Sequence, residues 1–295
     1  MPAKRSLLSI WVQAARPKTL VAGVAPVVIG LVMASTTAPL VWVSAVLTLL
    51  TSVGIQVGTN FVNDFADWRR GADQPDRIGP QRVMQAGLLS PRAMTAGICL
   101  VFGCVLAAGT YLFLHSGPFV LAVGTTGVLL GFLYSVGPSP LAYNGLSDLM
   151  VLLYFGVLAV AGTWYVQVGQ VAAHVLLAGA APGLLSTAIL AVNNIRDRDQ
   201  DQRAGRRTLV IRYGLGFGRW EYTLCCAVAA FVPVLLWLLG YAPPWILLAS
   251  AGLVPSAGLI KEVWTLSGPA LNQTLAKTAG LLVLYSGLFC LGWLL

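Results

Sequence analysis

Apolar residues in this chain run in long blocks rather than in alternation. Nine stretches, 20–36, 40–62, 93–114, 118–136, 147–166, 171–195, 220–239, 243–260 and 277–295, are nearly free of charge. About 20 such residues are what a helix needs to cross a bilayer. The connections alternate in character. Thr36 to Pro39, His115 to Pro118, Gln167 to Gln170 and Gly240 to Pro244 are short and uncharged, while the others are longer and carry the charge. The pattern predicts an all-α polytopic membrane protein: nine transmembrane helices in a single domain, residues 1–295.

Composition agrees. Charged residues make up 9% of the 295, against about 25% in a soluble domain, and 57% are hydrophobic. Such a chain can neither cover a soluble surface with polar groups nor stay disordered. Cys99, Cys104, Cys225, Cys226 and Cys290 lie in apolar runs without Cys-x-x-Cys spacing, which reads as packing rather than zinc binding. No cleavable signal with a small-residue cleavage site is read at the N-terminus.

Basic residues set the orientation. Lys4, Arg5, Arg16 and Lys18 precede the first span. Arg69, Arg70, Arg77, Arg82 and Arg92 follow the second. Arg196, Arg198, Arg203, Arg206, Arg207, Arg212 and Arg219 follow the sixth, and Lys261 and Lys277 flank the loop after the eighth. Nine spans put all 18 on one side, which predicts a cytoplasmic N-terminus and an outer C-terminus. The net charge of +8 then reflects topology and attraction to anionic membrane lipid, not nucleic acid.

Seven of the ten acids sit at the exits of spans two and six: Asp64, Asp67, Asp73 and Asp76 in one group, Asp197, Asp199 and Asp201 in the other. On a helix, Asn60, Asp64 and Asp67 share a face at i, i+4 and i+7. Asn193, Asp197 and Asp201 share one at i, i+4 and i+8. Like charges on adjacent turns repel, so two such stripes brought together need cations between them. Mg2+ fits, because it takes oxygen ligands and commonly combines a few carboxylates with substrate phosphates. Arg77 and Arg82 follow the first stripe, and Arg206, Arg207 and Arg212 the second. Guanidinium groups beside bound Mg2+ suit a diphosphate. The plainer alternative, solvated loop charges paired with each other, accounts for either stripe alone better than for both on one side.

A diphosphate site at the mouth of an apolar bundle suggests a lipid diphosphate as substrate, and a polyprenyl diphosphate fits. Mg2+ and Arg would stabilise the leaving group, aromatic faces would hold the allylic cation, and an apolar interior would limit quenching by water.

At these residues the chain resembles the intramembrane aromatic prenyltransferases of the UbiA type. The matching stretches are Arg16-Pro-Lys-Thr-Leu20 with Pro26; Asn63-Asp64-Phe-Ala-Asp67; Asp73-Gln-Pro-Asp76-Arg77-Ile-Gly-Pro-Gln-Arg82; Gly145-Leu-Ser-Asp148; Gly162-Thr-Trp-Tyr165; and Asn193-Asn194-Ile-Arg-Asp197-x-x-x-Asp201-x-x-x-Gly205, with Thr208-Leu-Val-Ile-Arg212 after it. They cover about residues 11–214, and the last three spans match in hydropathy only. Asp-x-Pro-Asp-Arg-Ile-Gly-Pro and Asn-Asn-x-Arg-Asp favour the naphthoate branch. The resemblance implies nine helices around a central cavity open to lipid. It implies Mg2+ and diphosphate bound by Asp64, Asp67, Asp197 and Asp201, with Asn63 and Asn194 as supporting ligands. It also implies transfer of the prenyl group to 1,4-dihydroxy-2-naphthoate in place of the ring carboxylate, giving demethylmenaquinone. The family often has a third Asp where this chain has Gly71, and Asp73 is the nearest acid that could substitute. Other phenolic acceptors, 4-hydroxybenzoate and homogentisate, share the superfamily motifs.

Further residues carry two readings each. Arg16 and Lys18 anchor the first span or recognise the acceptor carboxylate or the diphosphate; the resemblance favours Arg16. Asp148 at the start of span five is a metal ligand, acceptor contact or proton acceptor, or else a structural partner between helices. Tyr134 is an interfacial belt residue or lines the cation pocket. Trp164 and Tyr165 line the distal prenyl tunnel or, the better reading, are belt residues. His115 and His174 fall on the outer side, a membrane thickness from the acids. An ion-coupled transporter is the alternative from another class, but transporter acids usually sit near the midplane, whereas these sit at helix ends. A phospholipid head-group transferase of the CDP-alcohol class lacks its Asp-Gly-x-x-Ala-Arg motif here.

Overall fold

The computed structural model describes residues 6–72, 77–137 and 140–295; Lys4, Arg5, Asp73 and Asp76 lie outside them. The described residues form helices and no strands. A short helix α1 (Leu7–Ala15) precedes α2 (Pro17–Ser35), α3 (Trp42–Arg70), α4 (Pro91–Ser116) and α5 (Pro118–Ser135). Then come α6 (Ser147–Val168) and α7 (Ala173–Arg196), the short α8 (Arg198–Arg203) and α9 (Leu209–Tyr213), and α10 (Leu215–Leu238), α11 (Pro244–Thr265) and α12 (Gly268–Leu294). Nine of these are long and apolar enough to cross a membrane, matching the nine runs.

Three differences from the sequence expectation matter. Helix α3 runs past the apolar block to Arg70, so the first acid stripe lies inside the helix. Helix α12 starts before Lys277, and Lys277 is paired with Glu262 of α11 at 2.5 Å rather than facing a loop. Helix α1 is new: its Leu7 and Leu8 are exposed while Ile10 and Ala14 pack inward, as in a helix lying along a membrane surface.

Helix α7 is the centre of the bundle. Of its most apolar stretch 67% is buried, against 11% for α5. Its Val175, Ala178, Ala181, Leu185, Ala188 and Val192 share one core with α2, α10, α11 and α12. Helix α6 presses against it where α6 opens into a π turn at Leu153–Val157. A Cβ on Gly183 would stand 2.3 Å from the Leu152 carbonyl oxygen, and one on Gly156 2.4 Å from Gly183 Cα. Only glycine permits that backbone approach. Large apolar side chains such as Leu100, Leu106, Leu114, Leu224 and Phe231 point outward, as expected of a surface that meets lipid.

Side-chain contacts order the two ends. Asn272 near the start of α12 meets Arg196 at the end of α7, while Trp293 at its far end donates to Thr36 after α2. The C-terminus is therefore at the end opposite the acids. His115 and His174 also lie there: His174 packs between Trp164, Tyr241 and Trp293. Trp164 is buried in that cluster at 2% exposure, not set in a belt, because its indole closes the core behind α7.

Candidate active site

A cavity of about 960 Å3 opens between α2, α3, α5, α6 and α7. Its body is apolar, with Val27, Ile55, Leu130, Tyr154, Phe155 and Leu158 among its walls. One end is polar, with Arg16, Lys18, Asn60, Asn63, Arg77, Arg82, Tyr134, Asn193, Asp197, Asp201 and Arg206. The wall residues Ser147 and Val166 on α6 are 19 positions apart, about 28 Å along a helix at 1.5 Å per residue.

The polar end is built by helix termini. Asn60 of α3 donates to the Ala15 carbonyl at 2.9 Å and to Thr19 Oγ1 at 3.1 Å, tying the α1–α2 corner to α3. That corner turns at Arg16, whose φ of 54° is the single left-handed non-glycine value among the described residues. Pro17 after it disfavours helical backbone there, and such a conformation costs about 1–3 kcal/mol. The corner aims the Arg16 guanidinium at Asn63 Oδ1, 3.1 Å away, while Asn63 Nδ2 donates to Ser135 Oγ at 2.8 Å.

Asp64 and Asp67 are both 1% exposed and lie behind the cavity wall rather than in it. The Val83 N–H donates to Asp64 Oδ2 at 3.2 Å, folding the α3–α4 connection back over the helix. Asp67 Oδ2 accepts from Arg82 at 3.4 Å and from Arg206 at 2.9 Å. Arg206 also reaches Asp201 Oδ1 at 3.1 Å, so one guanidinium bridges the two acid stripes. Asp197 is gripped by both Nε and Nη2 of Arg196, at 2.7 and 2.6 Å; Arg196 also donates to Asn193 and Asn272. Burial pushes the Asp201 carboxyl up to about 6, with Arg206 opposing the shift. For Arg206 burial works downward, but Asp67 and Asp201 together hold its pKa raised.

Both second acids stand in the same local motif. Helix α3 ends at Gly71 (φ 67°), with Ala72 N–H bonded to the Asp67 carbonyl and Gly71 N–H to that of Trp68. Helix α8 ends at Gly205 (φ 74°), with Arg206 N–H on the Asp201 carbonyl and Gly205 N–H on that of Gln202. These are Schellman turns, which need left-handed backbone at the glycine. Gly71 thus stands as a helix terminator where the related pattern often has a third Asp.

Other expected residues are placed elsewhere. Asp148 is 5% exposed and is not in the cavity wall. Its carboxylate accepts from Ser147 at 3.1 Å and from Asn194 at 3.4 Å, and it lies close to the carboxyl of Glu221 of α10. Asn194 is accordingly turned toward Asp148, and Asn193 is the amide that faces the cavity. Arg207 and Arg212 are exposed and pass by Gly145 rather than the cavity. Of the arginines expected after the second stripe, Arg206 is the one that bridges the acids; two contributors were not singled out by sequence, Arg196 as the partner of Asp197 and Tyr143, whose ring lies under the guanidinium groups of Arg70 and Arg206 at 5.5 and 5.4 Å.

The donor set suits a hard divalent cation. Among the described residues no three His, Cys, Asp or Glu side chains gather at one point, so a closed all-protein cage is not formed. What does converge is a pair of carboxylates, Asp67 and Asp201, already sharing a positive guanidinium. Mg2+ is commonly bound by one or two carboxylates and completed by water and substrate phosphate.

Comparison with known proteins points the same way. The UbiA prenyltransferase family pattern matches residues 23–293. A 1,4-dihydroxy-2-naphthoate octaprenyltransferase of Mycobacterium tuberculosis is 38% identical over 235 residues, 80% of this chain and 79% of that one. One from Escherichia coli is 33% identical over 292 residues, 96% and 94% of the two chains. Among solved structures, a UbiA homologue from Archaeoglobus fulgidus bound to GPP and Mg2+ superposes with a TM-score of 0.69 at 15% identity, covering 95% of this chain and 99% of that one.

Proposed function

The chain belongs to the UbiA prenyltransferase family, and we propose that it moves a polyprenyl group from polyprenyl diphosphate to 1,4-dihydroxy-2-naphthoate, with Mg2+ and with loss of the ring carboxylate, in the membrane step of menaquinone synthesis. The observation that carries the reading is Arg206 at the polar mouth of an apolar cavity, joining Asp201 in its wall to the buried Asp67 of α3 behind it. The acceptor is supported by what the relatives from M. tuberculosis and E. coli are named for. The cation and the donor class are supported by the A. fulgidus homologue bound to GPP and Mg2+. The basic end faces the cytoplasm of a bacterial cell in this reading.

Asp64, Asp67, Asp197 and Asp201, with Asn63, are the residues that would hold Mg2+. When bound, the ion neutralises charge building on the departing diphosphate. Arg77 and Arg82 at the mouth bind its oxygens by charge-assisted hydrogen bonds. The tail lies in the apolar body of the cavity. The allylic C–O bond breaks with its electron pair leaving on diphosphate, and Tyr134 offers its ring face to the cationic carbon. The ring carbon bearing the carboxylate then bonds that carbon. Its bond to the carboxylate breaks in turn, releasing CO2 and restoring the aromatic ring, so no net proton is lost. Arg16, held by its strained corner, positions the acceptor carboxylate, and Lys18 adds positive charge beside it. The product is the reduced form of demethylmenaquinone.

The test is competition. Protein in lipid vesicles with Mg2+ and a polyprenyl diphosphate is offered 1,4-dihydroxy-2-naphthoate, 4-hydroxybenzoate and homogentisate together. Preferential consumption of the naphthoate, with CO2 and diphosphate released in equal amounts, is expected. Preferential prenylation of another acceptor would overturn the assignment.

A further inference from the structure

Arg206 faces the cavity mouth, yet its donors are spent on protein carboxylates. Nη2 is 2.9 Å from Asp67 Oδ2 and Nη1 is 3.1 Å from Asp201 Oδ1. Its Nε is buried and finds no acceptor among the described residues. The guanidinium is therefore placed by the two carboxylates, not by its own best hydrogen bonding. Its backbone is fixed by the Schellman turn at Gly205, and its face lies over Tyr143. Asp67 and Asp201 come from different helices and are 1% and 8% exposed as side chains. Without a cation between them, two buried carboxylates at close quarters would carry a large desolvation and repulsion cost.

We propose that Arg206 is the resident counter-cation of the site: it holds Asp67 and Asp201 together while no divalent ion is bound, and must be displaced from between them for one to bind. The inference rests on the reading that these carboxylates are cation ligands. It differs from an ordinary diphosphate contact, because its first consequence concerns the protein with no substrate at all. A guanidinium and a divalent ion cannot occupy the same space between two oxygens, so Arg206 and the metal compete. Removing the guanidinium should cost stability in cation-free buffer and should strengthen cation binding.

The experiment titrates purified full-length protein in detergent with Mn2+ alone, read by the loss of the free-ion paramagnetic resonance signal. Thermal unfolding is followed in parallel, with and without Mn2+. R206Q should bind Mn2+ at least about tenfold more tightly than the wild type, the lower end of the coupling measured for close charge pairs. It should also unfold at lower temperature in chelator and recover more of its stability on adding Mn2+. R206Q binding no more tightly than wild type, or neither binding at all, would overturn the proposal. Should R206Q fail to fold in both conditions, R206M decides by the same titration: it keeps a long side chain but carries no charge or donor to hold the two carboxylates, so tighter binding than wild type supports the competition and unchanged or weaker binding overturns it. The double variant D67N/D201N separates the two readings. If it binds Mn2+ as well as wild type, the carboxylates are not the metal ligands and the prenyltransferase site as drawn fails. If it loses Mn2+ while R206Q is unchanged, only the role of Arg206 fails.

Discussion

Asp67 and Asp201 each precede by four positions a glycine in left-handed backbone, and that spacing explains which arginine reaches them. The sequence expectation put Arg206, Arg207 and Arg212 beside the diphosphate because all three follow the second acid stripe. The turn at Gly205 instead folds Arg206 back over the end of α8, leaving Arg207 exposed. A linear spacing cannot register that reversal, although Asp-x-x-x-Gly in both stripes was its available sign. Gly205→Ala tests the turn. Left-handed backbone costs an L-residue roughly 1–2 kcal/mol, so a modest drop in melting temperature is expected together with tighter Mn2+ binding, since Arg206 is re-aimed away from the two carboxylates; unchanged Mn2+ binding would show that the turn does not set the site. Asp201 gives a pH prediction. Its carboxyl titrates at about 6 rather than 3.8, so protons compete with a cation there. The Mg2+ concentration for half-maximal activity should rise as pH falls through about 6 and stay flat well above it; no change across that range would contradict the placement.

The nine spans were legible from hydropathy alone, and what hydropathy missed has physical causes. Helix α3 continues to Arg70 because the α3–α4 connection takes up its carboxylates, through Val83 on Asp64 and Arg82 on Asp67; a hydropathy run ends near the first charged residue whether or not the helix does. The π turn at Leu153–Val157 leaves no mark in apolar periodicity. Asp148 carried two readings from sequence, and its hydrogen bonds with Ser147 and with Asn194 of α7 favour the interhelical one. The α6–α7 contact makes its own prediction. Gly183→Ala sets a Cβ 2.3 Å from a carbonyl oxygen, whereas a Cβ on Gly103 in α4 meets nothing within 4 Å. The first should lower the melting temperature by an amount equivalent to about 1–3 kcal/mol. The second should be neutral or raise it, by up to about 1 kcal/mol. Equal effects in thermal unfolding would show that the helices do not meet as closely as drawn.

As a whole the molecule is a polar mouth on an apolar chamber, with the charge at one end and the C-terminus at the other. This division was the most legible feature of the sequence, because scarce charge in a lipid-facing chain is confined to where it is used. The volume and shape of the chamber were not legible, since they depend on which faces of five helices turn inward. Chain-length preference belongs to this scale. Gly162 lines the deep part of the cavity, and a Cβ there would still clear Val123 at 3.8 Å. Gly162→Phe should therefore raise KM for long polyprenyl donors while sparing a short one such as geranyl diphosphate; a uniform effect on both would place the tail elsewhere. The central claim is that the ends of α3 and α8 form one cation–diphosphate site. A double-mutant cycle on kcat/KM of prenyl transfer tests it directly, with D67N, D201N and the double variant. If the two carboxylates act as a unit, each single change should cost about 10²–10³-fold, as loss of one transition-state charge partner does, and the double should cost little more than either. Single variants that keep full activity, or a double whose loss is the product of the two, would contradict the account.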